Sequence, residues 1–283
     1  MRLALKFGYD GRRFHGFSRQ PGQRTIEGDI LEALRDLRII GPNGTPADIG
    51  YGAASRTDAG VSAIGNVLAI DTTFRKDALL RALNARLEAI WFHSLAEVPD
   101  GFRPRNAAMR WYRYHLLADE VGGWTRLRRA LRLFAGKHDF TNFCRPEGKS
   151  AVRSISKVGT RRTGQFIGVD FFSRGFLWNQ VRRMIGAALG VSRGELGLAE
   201  VKRALDRPRT KADLGLAPAE PLLLMDVAYD FDFTRDEGAL GLAVRSLQKK
   251  RREAIQTMVM ASYIVPATGT SPSGARRPSR RPR

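Results

Sequence analysis

The apolar residues of this chain switch repeatedly between a period of two and a period near 3.6, and that switching restricts the fold more than any other feature. Leu3, Leu5, Phe7 and Tyr9 alternate as a half-buried strand, which Asp10-Gly11 ends. Thr25 is placed to cap a helix whose apolar face is Ile26, Ile30, Ala33, Leu34 and Leu37. Past the turn cluster Gly41-Pro42-Asn43-Gly44 come a strand pattern over 67–70, a helix over 76–87 and a strand over 90–95. The first half therefore reads β-α-β-α-β.

The second half repeats that texture without repeating the sequence. Residues 111–117 read as a strand, and 124–136 as a helix with Leu127, Leu131 and Phe134 on one face. Two strands, 152–161 and 165–172, flank Thr163-Gly164, a hairpin signal. Helices over 178–189 and 199–205 and a strand over 222–229 follow. The expected fold class is α+β, with similar lobes at 1–107 and 108–235 meeting near Ala107. Residues 236–262 read as a weakly amphipathic helix, within an extension over 236–267, and Lys249-Lys250-Arg251-Arg252 is read there as a solvated face, with an RNA contact the alternative. The Gly/Ser/Pro/Arg-rich tail at 268–283 is expected to be disordered and to add nonspecific affinity only.

Charge indicates the partner. Lys and Arg number 48 against 28 Asp and Glu, a formal net charge of +20. The five arginines of 276–283 account for part, and about +15 remains on the rest. Such a field attracts phosphate backbones and makes binding salt-sensitive. The single Cys144 excludes an internal disulfide and a cysteine-cluster zinc site. His15, His93, His115 and His138 are dispersed, so no metal cofactor is expected. No apolar run is long enough to span a membrane, and the chain enters a strand pattern directly, leaving no room for a signal peptide. The cytoplasm is the expected compartment.

Three segments carry candidate chemistry. Ser55-Arg56-Thr57-Asp58-Ala59-Gly60-Val61-Ser62-Ala63 sets a carboxylate beside an arginine among small residues. Ala59-Gly60 permits close backbone approach to a target, although Thr57–Gly60 also reads as an ordinary β-turn. Arg110-Trp111-Tyr112-Arg113-Tyr114 places Tyr112 and Tyr114 on one strand face and Trp111 and Arg113 on the other. A tyrosine so placed beside arginines suits stacking on an unpaired base, while Tyr114 reads as core with its hydroxyl satisfied. In the third segment, Phe176, Leu177 and Trp178 are expected to wall a dry pocket. Arg182, four residues after Trp178, is expected on the same helix face and in need of an anion, with Asp58 the candidate. A solvated Arg182 is the alternative.

Together these segments resemble the tRNA pseudouridine synthase A family. The resemblance rests on Tyr9-Asp10-Gly11 with Phe14 and Gly16, on Arg56-Thr57-Asp58-Ala59-Gly60-Val61, and on Phe102 with Arg105. It rests further on Arg110-x-Tyr112-x-Tyr114, Gly136-x-His138-Asp139-Phe140, and Phe176-Leu177 with Val181-Arg182. Phe14-His15-Gly16-Phe17 is most similar to archaeal members. The resemblance implies two lobes sharing a continuous mixed or antiparallel sheet flanked by helices, with a basic central cleft. It also implies a homodimer acting on tRNA, and isomerisation of uridine to pseudouridine in the anticodon stem-loop, typically at tRNA positions 38 to 40. By the same resemblance Asp58 and Arg182 are catalytic, Arg182 pairing with the carboxylate. Tyr112 stacks on the uracil, Arg56 assists in displacing the base, and Arg105 and Phe176 belong to the substrate site. His138-Asp139-Phe140 reads as structural, Asp139 being a turn or cap residue. Ser55, Ser62, Phe17-Ser18 and Glu88 depart from the family pattern, which bears on substrate range more than on reaction type.

Isomerisation is redox-neutral and needs no cofactor. A carboxylate attacking carbon or removing the ribose C2′ proton must be ionised, which a neighbouring arginine favours. Arg12, Arg13, Arg19 and Arg103, like Arg105, are weaker candidates for tRNA contact. Two other classes fit the same residues: a noncatalytic RNA-binding protein on these lobes, and an RNA N-glycosylase.

Overall fold

The alternating N-terminal residues form the third strand in the order of a ten-stranded sheet. In the computed structural model, β1 (Arg2–Tyr9) lies between β3 (Ser62–Asp71) and β4 (Ile90–Glu97), antiparallel to both. The two-residue β2 (Gly52–Ala53) pairs with β3, and the two-residue β10 (Thr234–Arg235) with β4. With β5 (Met109–Leu117), β6 (Gly136–Asp139), β7 (Val152–Thr163), β8 (Phe166–Ser173) and β9 (Leu222–Ala228), the order is β10-β4-β1-β3-β9-β5-β8-β7-β6. Neighbours run antiparallel except β3 and β9, which are parallel with Ser62 opposite Leu223 and Ala63 opposite Leu224. That junction makes the sheet mixed and continuous across both halves of the sequence, as expected.

The structure describes residues 1–264 apart from 146, 147 and 149. Met1–Ala243 forms one compact unit, and the described residues from Val244 onward belong to a second. The sheet is flanked by α1 (Ile26–Asp36), α2 (Lys76–Asn84), α3 (Trp124–Arg132), α4 (Gln180–Arg193) and α5 (Leu198–Asp206). Thr25 caps α1 as read from the sequence, its hydroxyl accepting the Gly28 N–H at 3.2 Å. Ile26, Ile30 and Leu34 of α1 and Leu79, Leu80 and Leu83 of α2 join Leu3, Leu5 and Phe7 in one core. α6 (Glu237–Ile264) fulfils the helical reading of 236–262, and Arg251 and Arg252 on it are exposed. The tail at 268–283 lies outside the described residues. No helix among the described residues is long and apolar enough to cross a membrane.

Several sequence expectations shift. β1 is buried on both faces, not one: Ala4 is as buried as Leu3 and Leu5. Its polar positions are closed by partners instead of water. Arg2 pairs with Asp71 at 2.9 Å and donates to the Phe102 and Gly50 carbonyls, and Lys6 reaches Asp226 at 2.5 Å. α2 ends at Asn84, whose amide exchanges two 2.8 Å hydrogen bonds with the Phe92 backbone and turns the chain into β4. α3 ends at Arg132, because Gly136 at φ 103 opens β6. The helix read over 178–189 starts only at Gln180, after Asn179 in a left-handed conformation with φ 62. The Thr163-Gly164 hairpin is present, with Thr163 opposite Phe166 across a two-residue loop.

Phe7 is fully buried and stacks on Phe92 with ring centroids 5.0 Å apart. Phe7→Ala is expected to destabilise the protein by about 3–5 kcal/mol, read as a lower urea midpoint with the slope preserved.

Candidate active site

The connection between β2 and β3 carries Asp58 into a tight turn. The Val61 N–H donates to the Asp58 carbonyl at 3.2 Å, and Gly60 holds φ 85 at the third turn position, where type II geometry requires positive φ. The turn thus spans Asp58–Val61, one residue later than its sequence reading. The stem leading to it is held by hydrogen bonds at each step. The Phe17 N–H donates to the Thr57 carbonyl at 3.1 Å, Tyr9 and Thr57 share a 2.9 Å hydroxyl contact, and Asn66 donates to the Ser55 carbonyl at 3.0 Å.

Arg182, on the first turn of α4, meets this carboxylate. Its Nη1 lies 3.1 Å from Asp58 Oδ2, in an ion pair joining residues 124 positions apart. The side chains are 21% and 16% exposed, so the pair is largely withdrawn from water. Arg182 is fixed at two further points: Nε donates to the Ala217 carbonyl at 2.9 Å, and Nη1 also reaches Asn179 Oδ1 at 3.3 Å. The solvated alternative for Arg182 is therefore excluded. The helical relation to Trp178 fails, because left-handed Asn179 separates the two.

Tyr112 and Tyr114 share the buried face of β5, as the strand period required. Tyr114 is core, and its hydroxyl donates to the Pro218 carbonyl at 3.1 Å. Tyr112 is 7% exposed and sits edge-on to Phe176, centroids 5.2 Å apart at 84°. Burial pushes its phenol up to about 12, opposed by the Arg110 charge and a hydrogen bond with Ser55, and aided by the Asp58 charge. Asp58, Arg182, Tyr112 and Phe176 thus gather in one region. The wall of three apolar residues does not: Phe176 and Leu177 are half-buried, but Trp178 is 40% exposed. On the opposite face of β5, Trp111 and Arg113 both bind Asp170 of β8, the arginine through two bonds at 2.8 and 2.9 Å.

Arg56 and Arg105 are exposed, and neither has a carboxylate partner among the described residues. Of the weaker arginine candidates, Arg12 pairs with Asp10 at 2.8 Å, Arg13 with Glu88 at 2.6 Å and Arg19 with Glu27 at 3.8 Å. Asp139 is a turn residue as expected, accepting from the Thr141 N–H and hydroxyl. Two surface cavities of about 440 Å³ lie elsewhere, lined by neither Asp58 nor Arg182.

One central residue, Arg110, stands in the sequence only as a member of the Arg110-x-Tyr112-x-Tyr114 motif. Arg110 is 7% exposed and has no carboxylate partner among the described residues. Its guanidinium donates to the Ser55 hydroxyl at 3.0 Å, to the Ala54 and Arg105 carbonyls at 2.8 and 3.0 Å, and to the Arg174 carbonyl. Desolvation lowers its pKa from the ordinary arginine value. The signal was available: position 110 has the parity of Tyr112 and Tyr114, so a cation there faces inward and needs acceptors.

The chain is similar to known proteins over most of its length. Residues 130–230 match the family model described as tRNA pseudouridine synthase. A curated relative from Pyrococcus abyssi, named tRNA pseudouridine synthase A, is 38% identical over 270 residues, covering 94% of this chain and 97% of its own. One of the same name from Natronomonas pharaonis is 39% identical over 269 residues, covering 93% and 98%. A solved archaeal box H/ACA sRNP Nop10-Cbf5 complex overlaps 64% of this chain and 45% of its own at 14% identity, with a TM-score of 0.32.

Two expectations follow. Arg110→Met leaves the Ala54, Arg105 and Arg174 carbonyls without their donor, at about 1–3 kcal/mol each. Its urea midpoint should fall well below that of the parent, and an unchanged midpoint would exclude the clamp. Burial also raises the phenols of Tyr9, Tyr51 and Tyr229, and pushes Tyr114, like Tyr112, up to about 12. Their stabilising contribution is complete below the unfolded value near pH 10 and is lost as pH rises through about 12. At about pH 10.5 the native protein should show almost no phenolate absorbance from Tyr9, Tyr51, Tyr112, Tyr114 and Tyr229, while unfolding should bring its six tyrosines to about three-quarters ionisation.

Proposed function

Because the chain belongs to the tRNA pseudouridine synthase A family, we propose that it isomerises uridine to pseudouridine in tRNA, with Asp58 as the catalytic carboxylate. The observation that carries the reading is the Asp58–Arg182 ion pair beside Tyr112. In this reaction the bond between ribose C1′ and uracil N1 breaks, the uracil turns over, and C1′ bonds to C5. The C5 proton is lost and N1 gains one, so atoms and electrons balance without an oxidant or reductant. Asp58 serves either by attacking carbon or by removing the C2′ proton, and both need an ionised oxygen held in place. Arg182 holds it, while the carbonyl of Ala217 and the amide oxygen of Asn179 hold Arg182.

The target uridine leaves its stem, at a cost of about a few kcal/mol, and enters beside Tyr112. Phe176 lies against that ring at 84°, and it shifts as a base stacks there. Arg56 assists in displacing the base, and Arg105 contacts the tRNA backbone, with Arg12, Arg13, Arg19 and Arg103 as further contacts. The target lies in the anticodon stem-loop. Residues 1–107 and 108–235 are the two lobes around a basic cleft, 236–267 an extension and 268–283 a basic tail. The enzyme works in the cytoplasm as a homodimer with one tRNA lying across both subunits.

Incubation with unmodified tRNA followed by nucleoside analysis should give pseudouridine with the parent and none with Asp58→Ala. Release of free uracil would replace the reading with a glycosylase, and tight binding without either product with a noncatalytic protein. Arg182→Met should lower turnover roughly 100-fold, with tRNA affinity nearly unchanged. An unchanged rate would remove Arg182 from the mechanism.

A further inference from the structure

The segment leading into α4 exposes an aromatic ring that the proposed reaction does not use. Phe176 packs on Tyr112, and the Leu177 N–H donates to Gln180 Oε1 at 2.9 Å, but Trp178 between them and the helix is 40% exposed. It is nevertheless held in place. The Arg145 guanidinium lies 4.3 Å from the centroid of its ring, and the Arg145 N–H donates to the Trp178 carbonyl at 2.9 Å. On its other side, Asn179 adopts φ 62, a left-handed conformation that asparagine takes more readily than most side chains. Asn179 also bonds Arg182, so Trp178 stands one residue from the support of the Asp58 ion pair.

The surrounding charge is of one sign. Between Asp170 and Glu195 the sequence has no acidic residue, but has Arg174, Arg182, Arg183 and Arg193. Arg145 and Arg174 are exposed. A fixed indole plane with a guanidinium on it, in a cationic segment, matches a nucleobase and its phosphate: the π-face stacks on the base and the cation meets the phosphate. An aromatic meant for a protein partner would more commonly lie in a wider apolar surface. Here the neighbouring apolar side chains, Phe176 and Leu177, turn inward onto the core.

We propose that Trp178, backed by Arg145, is a stacking site for an unpaired RNA nucleobase next to the target nucleotide, separate from the Tyr112 position. The site rests on the tRNA reading for the identity of its RNA, but its binding is measurable without turnover.

The test is equilibrium binding of unmodified tRNA, and of a short uridine-containing single-stranded RNA, to the full chain carrying Asp58→Ala. Adding Trp178→Leu, which keeps apolar bulk but removes the ring, should weaken binding roughly 10-fold or more, and Trp178→Phe should restore most of it. Arg145→Ala should lower the salt dependence by about one phosphate contact. Binding by Trp178→Leu within about twofold of its parent overturns the site. So does a change in oligomeric state without a change in RNA affinity, which would assign the ring to a second copy of the chain. Failure of the chain with Asp58 intact to make pseudouridine overturns the proposed reaction and leaves this binding result standing.

Discussion

A guanidinium buried without a carboxylate is tolerable only where fixed carbonyls surround it, and Arg110 imposes that condition on the chain around it. Its acceptors come from the end of β2, from the loop before β5 and from the turn after β8. These three segments lead respectively to Asp58, to Tyr112 and to Phe176. Each must stand where the guanidinium can reach it, because a missing acceptor would leave a buried N–H unpaired at about 1–3 kcal/mol. Ser55 adds a side-chain acceptor, so the cation and the stem of the Asp58 turn form one hydrogen-bonded unit beside Tyr112.

The Asp58–Arg182 pair closes the same region from the other side. A pair so far withdrawn from water adds little net stability, because desolvation offsets much of its attraction. Removing one partner is costly, however, since the remaining charge keeps its desolvation and loses its counter-ion. The arrangement is thus better suited to holding a carboxylate in one place than to stabilising the fold. The parallel contact of β3 with β9 serves that purpose at larger scale, bringing the Asp58 turn from one half of the sequence to α4 from the other.

Long periodic elements were legible in the sequence because burial imposes the period directly. The α1 face, the β7–β8 hairpin and the inward parity of Tyr112 and Tyr114 all follow from spacing alone. Elements of two to four residues, β2, β6 and β10, carry too few side chains to show a period. The two-sided burial of β1 was hidden because its second face is closed by Arg2 and Lys6, residues that read as solvated until their distant partners are known. The pairing of Asp58 with Arg182 was legible as a need for a counter-ion. The left-handed Asn179 was not, since no glycine marks it, and that one residue moved the start of α4 and turned Trp178 outward. Arg110 was readable from parity but was overshadowed by the tyrosines beside it.

The central claim is that one carboxylate, held by Arg182 beside Tyr112, meets a uridine taken out of its stem. A structure of the Asp58→Ala chain bound to unmodified tRNA tests it most directly. The expected result is a flipped uridine stacked on Tyr112, Phe176 displaced from that ring, and the ribose facing position 58. A tRNA bound with its uridines still in the stem, or a flipped base lodged away from Tyr112 and Arg182, would contradict it.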